Sequence, residues 1–374
     1  MLYGALAFAV AVAFVPGFEG GATTPRWALI AFTVPWLLRD RLRFGVADLA
    51  AGLLLGWSGL TILWSSPARL DGIGELLTLV LLLSCFLFGR QISDMRPVWI
   101  GAGLGVSVSS LIAVIQAFGW HIVQTNERSP IAGLFANGNF LAEAAAPMLV
   151  AAVIEEIWWL VPLLLPGLLL PTARGAALAA TVPLLVYAFK RPGQRWKFAA
   201  LLCVLGGALL YLAATRTSES AIIRLTTWRA ALEHLTLVGQ GLGWGSIVLP
   251  EYLHNEFLNV AFETGLIGFA LLGLFCLTLL GPMNAARYVL IAFAVEASFE
   301  YPLHLPVTGF LAMVAAGHAV RSRFVLWGFD PFRRGTSEDR MAEAIGDYPH
   351  LGGPTVSVRS SLPTVSGRVR GKAA

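Results

Sequence analysis

Apolar residues run along this chain in blocks of 15 to 26, set apart by short stretches carrying Arg, Lys, Pro or Gly. Blocks of that length match the thickness of a bilayer's hydrocarbon core when wound as helix. About twelve such spans are predicted, near 2–18, 24–38, 46–64, 71–89, 97–119, 135–154, 157–171, 175–189, 196–214, 256–281, 285–299 and 304–321. The second, seventh, eighth and eleventh are short and read as tilted partners or merged pairs. The first lacks a basic leader and a cleavage site, so it reads as a retained span.

Composition agrees with the pattern. Hydrophobic residues make up 57% of the 374 and charged residues only 13%, and the mean hydropathy is +0.72. These values exclude an ordinary soluble domain and predict an all-α, polytopic integral membrane protein. Cys85, Cys203 and Cys276 fall singly in separate apolar runs, without metal-ligand or redox spacing, and read as packing residues.

Basic residues in alternate loops orient the bundle, because short cytoplasmic loops are enriched in Lys and Arg. Arg39, Arg41 and Arg43, then Arg90 and Arg96, then Lys190 to Lys197, then Arg287, then Arg321 and Arg323 form the inner set. With twelve spans, both termini face the cytoplasm and the longest loop, about 215–255, faces outward. The transmembrane domain is therefore placed at 1–321. Residues 322–374, rich in Gly, Ser, Pro and charge, read as a disordered cytoplasmic tail.

The outer loop breaks the charge rule with Arg216, Arg224 and Arg229. Within it, SAIIRLTTWRAALEHL places Ile222, Leu225, Trp228, Ala231, Leu232 and Leu235 at helical spacing, predicting an amphipathic helix along the membrane surface. The following GQGLGWG is a glycine-rich turn; it lacks the Lys and Ser/Thr of a phosphate loop and follows no strand, so it does not read as a nucleotide site. Arg174, in LLLPTARGAALAA, lies between two apolar runs at the outer interface, where a charge is costly unless paired or solvated.

The stretch HNEFLNVAFETGLIG, residues 254–268, opens a membrane-length run with two polar residues. His254 can accept a proton near neutral pH, and the forked guanidinium of arginine suits a phosphate or diphosphate. Together they suggest transfer from a phosphorylated donor to an alcohol. Arg224 and Trp228 share a helix face, Asn255 and Asn259 are one turn apart, and Gly265 and Gly268 are spaced for close helix contact. Each feature also has a plainer reading. A lone interfacial histidine is ordinarily a satisfied polar residue, Arg174 can be a snorkelling anchor, and Glu143, Glu263 and Glu296 can be structural hydrogen-bonding groups.

His254-Asn255, nine residues, then Gly265-x-x-Gly268 resembles the signature of the bacterial O-antigen ligase and polymerase superfamily. GLFANGNFLAEAAAPML (133–149), TARGA (172–176), RLTTWRAAL followed by GQGLGWG, and EYPLH (300–304) are similar to further family segments, in family order. The resemblance covers about 130–320. It implies a membrane glycosyltransferase of the GT-C type, inverting and metal-independent, without a cofactor. Its donor is a polyprenyl diphosphate-linked glycan at the periplasmic face of the inner membrane. The acceptor is lipid A core, a growing glycan or a protein such as a pilin, with lipid as the surrounding partner and no nucleic acid. His254 matches the catalytic base, and Arg174 and Arg224 match the diphosphate-binding arginines. Arg216 and Arg229 match less closely, and Asn255, Glu263 and Trp228 are supporting residues. Ala173 stands where the family pattern has Ser before the arginine, and the outer loop is shorter than in the longest pilin ligases. A lipid-linked glycan flippase is the alternative from another class, but no paired internal repeat supports it.

Overall fold

A computed structural model describes residues 1–15, 22–38, 43–65, 68–120, 123, 130–135, 137–190, 199, 201, 203, 205–207, 219–245, 253–321 and 325–328. The described chain is almost wholly helical: α1 Leu2–Val12, α2 Thr24–Leu37, α3 Val46–Thr61, α4 Arg69–Gln91, α5 Arg96–Ala117, α6 Gly138–Ile154, α7 Val161–Leu169, α8 Arg174–Lys190, α9 Glu219–Glu233, α10 Glu256–Leu279, α11 Ala285–Ala297 and α12 Pro306–Ala319. The two short strands, β1 Arg43–Gly45 and β2 Val325–Gly328, pair antiparallel. β2 lies inside the stretch that the sequence reads as tail. By contact the chain divides at Phe329 and Asp330, and the rest of the expected tail lies outside the described residues.

Among the described residues, four helical stretches are long and apolar enough to cross a membrane: Val46–Trp64, Arg69–Gln91, Arg96–Ala117 and Glu256–Leu279. The apolar helices Leu2–Val12, Gly138–Ile154, Trp158–Leu169 and Pro306–Ala319 are shorter. Of the span expected at 196–214, only a few helical residues are described. The first expected span ends as helix at Val12, and those expected at 157–171 and 175–189 stand as the separate helices α7 and α8.

α6 is the hub. Leu141 to Val153 are all buried, as expected of a helix that is apolar on every side, and α5, α7, α8 and α11 pack around it. Elsewhere small residues let backbones meet. A Cβ on Gly101 of α5 would run into the Gly4 carbonyl of α1, and one on Gly317 of α12 into the Phe86 carbonyl of α4.

Charge is segregated between the two ends of the bundle. At the end away from His254, Arg90 pairs with Asp48, and Arg287 donates to the carbonyls of Leu279 (2.9 Å), Pro282 (2.6 Å) and Ala319 (2.5 Å). Arg287 thereby closes the C-termini of α10 and α12, where the helices leave carbonyls unpaired. Both arginines belong to the set that the loop pattern assigns to one side.

α10 is a broken helix. Gly265 takes φ +72° and ψ −175°, a region open essentially to glycine alone. The break frees backbone groups on both sides, and the 236–241 loop satisfies them. Leu266 N donates to Thr236 O (3.1 Å) and Ile267 N to Leu237 O (3.2 Å), while Gln240 N reaches Phe262 O (3.0 Å) and Gly241 N reaches Glu263 O (2.9 Å). This corrects the expected role of Gly265: the missing side chain admits the 236–241 backbone rather than a neighbouring helix. Gly268 does face a helix, with Trp57 of α3 at 3.3 Å from where its Cβ would lie.

Candidate functional site

α9 is held onto the start of α10 by an apolar cluster. Ala231, Leu253 and Phe262 are buried, with Trp228, Trp244, Leu258 and Tyr301 around them. Trp228 also donates from Nε1 to the Leu253 carbonyl at 2.5 Å. The apolar residues of the expected amphipathic helix divide between two directions: Trp228 and Ala231 turn into the protein, whereas Ile222, Leu225 and Leu232 are exposed. Packing against α10 takes the face that carries Arg224.

That docking aims Arg224 at the turn between α11 and α12. Its Nη1 donates to the Phe299 carbonyl (2.6 Å) and its Nη2 to Glu300 Oε1 (2.8 Å). The other carboxylate oxygen, Oε2, lies 2.7 Å from His254 Nδ1. Glu300 thus bridges the arginine and the histidine.

The backbone at His254 is itself constrained. It adopts φ +45°, uncommon for a residue with a side chain, and two neighbours fix it. His254 N donates to the Tyr301 hydroxyl at 2.7 Å, and the Tyr301 and His254 rings lie 5.4 Å apart. Asn255 caps α10, accepting from Leu258 N at 2.9 Å, and donates from Nδ2 to the Ser298 carbonyl at 3.1 Å. The supporting role expected of Asn255 is therefore geometric: it ties the helix start to the 298–301 turn.

The protonation pattern follows from this wiring. Burial alone favours the acid form of Glu300, but the His254 hydrogen bond and the Arg224 charge outweigh it and hold the carboxyl below its ordinary range. A carboxylate only accepts, so His254 Nδ1 carries the proton and donates. Nε2 of the neutral ring is then left with its lone pair. The imidazole is about one-third exposed, open enough to meet a substrate. Burial raises the Tyr301 hydroxyl above its usual value, against the lowering effect of the hydrogen bond from the His254 backbone.

Beside this cluster, across the Tyr301 ring, stands a second histidine and acid. His304 Nδ1 lies 3.3 Å from both Glu256 oxygens, and its ring centroid is 5.5 Å from that of Tyr301. Desolvation disfavours the charged ring, but Glu256, with Glu75 and Glu263 behind it, overcomes that and raises it to about 9.

The remaining expected residues are distributed unevenly. Arg174 opens α8, and Phe299 lies 3.3 Å from where a Cβ on Gly175 would stand, so the arginine starts beside the turn that receives Arg224. Its Nε and Nη2 are buried without a partner among the described residues. Arg229 stays away: its side chain is 81% exposed and paired with Glu233 one turn on. Glu263 supports the glycine turn, accepting from Gly245 N at 2.9 Å. Arg216 lies outside the described residues. Sequence reasoning missed Glu300 and Tyr301 as site residues, although both stand in the EYPLH segment.

No protein-family model matches the chain, and no curated protein matches it. Fold and site together define a helical protein with membrane-length apolar helices and a His, Glu and Arg cluster where α9, α10 and the turn before α12 meet.

Proposed function

We propose that this chain is a membrane glycosyltransferase of the GT-C type, with about twelve spans. It moves a glycan from a polyprenyl diphosphate donor to an acceptor hydroxyl at the periplasmic face of a bacterial inner membrane. The observation that carries the reading is the His254, Glu300 and Arg224 chain of contacts, which pairs a base with a cation for a leaving group. The acceptor we favour is lipid A core, making the protein an O-antigen ligase.

The chemistry is a single displacement. His254 Nε2 takes the proton of the acceptor hydroxyl while its oxygen bonds to the anomeric carbon. The bond from that carbon to the diphosphate oxygen breaks, and the electron pair leaves with the lipid diphosphate. Glu300 holds the imidazole in the useful tautomer and stabilises the imidazolium that forms. Arg224 spends two of its five N–H groups on Phe299 and Glu300, leaving three for the diphosphate. Arg174 brings unpartnered donors to the same turn. Donors fixed in advance at a site of developing charge are an effective catalytic arrangement, because nothing must reorganise as the charge appears. One displacement implies inversion at the anomeric carbon.

The test is glycan transfer by the purified protein with a lipid diphosphate-linked donor and three acceptors: lipid A core, the donor's own glycan and a pilin. Product on lipid A core that vanishes in folded His254→Ala establishes the ligase reading. Product on another acceptor makes the protein a polymerase or a protein transferase. Full activity in His254→Ala removes the base assignment, and passage of lipid-linked glycan across liposomes without transfer replaces the reading with a flippase.

A further inference from the structure

Two carboxyl groups inside the bundle take no part in this mechanism. Glu143 of α6 is 1% exposed and Glu296 of α11 is fully buried. Neither oxygen of either side chain has a hydrogen-bond partner among the described residues. The structural role open to all three interior glutamates is thus filled by Glu263, which holds Gly245, and not by these two. An ionised carboxylate with nothing to accept from is among the costliest groups to bury, and the ordinary outcome is that it keeps its proton.

Their position gives this consequence. α6 packs on α11, and α8 packs on both. Glu143 is within electrostatic reach of Glu300, Arg224 and Glu256, and Glu296 within reach of Glu143 and Glu300. Arg174, with its unpartnered nitrogens, begins the third helix of that packing. Among the described residues, these groups lie at the pair's end of the bundle together with His254, Tyr301 and His304.

We propose that Glu143 and Glu296 form a proton-binding pair directly behind the candidate site, each retaining its proton at neutral pH, and that these two protons set the sign of the site's charge. With both carboxyls neutral, the His304 cation offsets Glu256, Arg174 and Arg224 outweigh Glu300, and the site carries one net positive charge. With both ionised it carries one net negative charge and repels an anion. The proton-binding pair stands on burial and missing partners alone; its consequence for a diphosphate rests on the reading given under Proposed function.

The pair is read directly by infrared spectroscopy of the full-length protein in lipid nanodiscs. At neutral pH the expected spectrum shows the carbonyl stretch of protonated carboxylic acid. The band should shift on ¹³C labelling of glutamate side chains, weaken in Glu143→Gln and in Glu296→Gln, and lose both contributions when the two are combined. Where a glutamine variant fails to fold, Glu143→Asp or Glu296→Asp should displace the band instead. A wild-type spectrum with no such band at neutral pH overturns the proposal, as does a band that none of these substitutions changes. Binding of a lipid diphosphate should survive the double glutamine substitution and persist to higher pH than in the wild type. Binding lost from wild type and variants alike, with the band in place, strikes the donor reading and leaves the proton pair standing.

Discussion

Replacing Glu300 by Gln keeps the shape of the bridge and removes its charge. The wild-type carboxylate accepts from His254 at 2.7 Å and from Arg224 at 2.8 Å. Hydrogen bonds with an ionised partner are worth about 1.5–3 kcal/mol each and are about twice as strong as neutral ones. The amide therefore gives up about half at each contact, about 1.5–3 kcal/mol for the two. At about 1.4 kcal/mol per factor of ten in rate, kcat should fall by about 10- to 100-fold with KM for the acceptor little changed. The amide NH₂ can also donate to His254 Nδ1, which forces the proton onto Nε2 and disables the base, so the larger figure is the one to expect. The assay is single-turnover glycan transfer from a lipid diphosphate-linked donor, beside a melting curve for each variant. Glu300→Asp, which keeps the charge, should recover part of the loss. A folded Glu300→Gln protein with wild-type kcat would falsify the bridge as a functional device.

Arg224→Lys should behave nearly as Arg224→Ala in donor binding, because one ammonium cannot serve Phe299, Glu300 and a diphosphate together; a Kd for lipid diphosphate equal to that of the wild type would sink this. Gly265→Ala forces a side chain into a glycine-only backbone region at a cost of about 1–3 kcal/mol and also pushes on the Gly239 backbone, so the melting temperature in detergent should drop; no drop would mean that the 236–241 loop does not depend on the break. His304 is raised above its unfolded value, so the stability drawn from Glu256 is complete below the unfolded pKa and is lost as pH rises through about 9. Melting curves of His304→Gln should lack that alkaline loss, and identical pH profiles for variant and wild type would refute it. Glu300 has the opposite sign: its carboxyl is held low, so its contribution is present above the ordinary carboxylate range and disappears as pH falls through the folded value. Glu300→Gln should flatten the acid limb of the stability curve.

Some helix positions were legible from local composition: 24–38 and 285–299 in the sequence became Thr24–Leu37 and Ala285–Ala297 in the structure, whereas the span expected at 2–18 is helix only to Val12. The polar cap at residues 254 and 255 was legible for the same reason. What could not be read was which long-range partner each group takes. Glu300 follows a helix of ordinary appearance, and only the meeting of α9 and the start of α10 with the turn before α12 gives it Arg224 and His254 as neighbours. Arg229 shares the loop, the residue type and the helix with Arg224, yet packing of Trp228 and Ala231 against α10 turns one arginine inward and leaves the other in the open. Gly265 carried a small-residue signal that is correct about close approach and silent about what approaches.

The break at Gly265 links these parts. An uninterrupted α10 would pair the Phe262 and Glu263 carbonyls within itself and leave the 236–241 backbone nothing to bind. Opened, the helix anchors that loop by four backbone hydrogen bonds, and the loop is the continuation of α9, so the anchor fixes the end of the helix that presents Arg224. Irregular backbone within a membrane-length apolar helix persists where protein groups satisfy it, and here the satisfying segment is the one that must be positioned. His254, one residue before the Asn255 cap of the same helix, is set by its start; Arg224 is set by the helix's interruption. One element thus fixes both groups that meet at Glu300, and a substitution that closes the break should loosen the arginine while leaving the histidine in place.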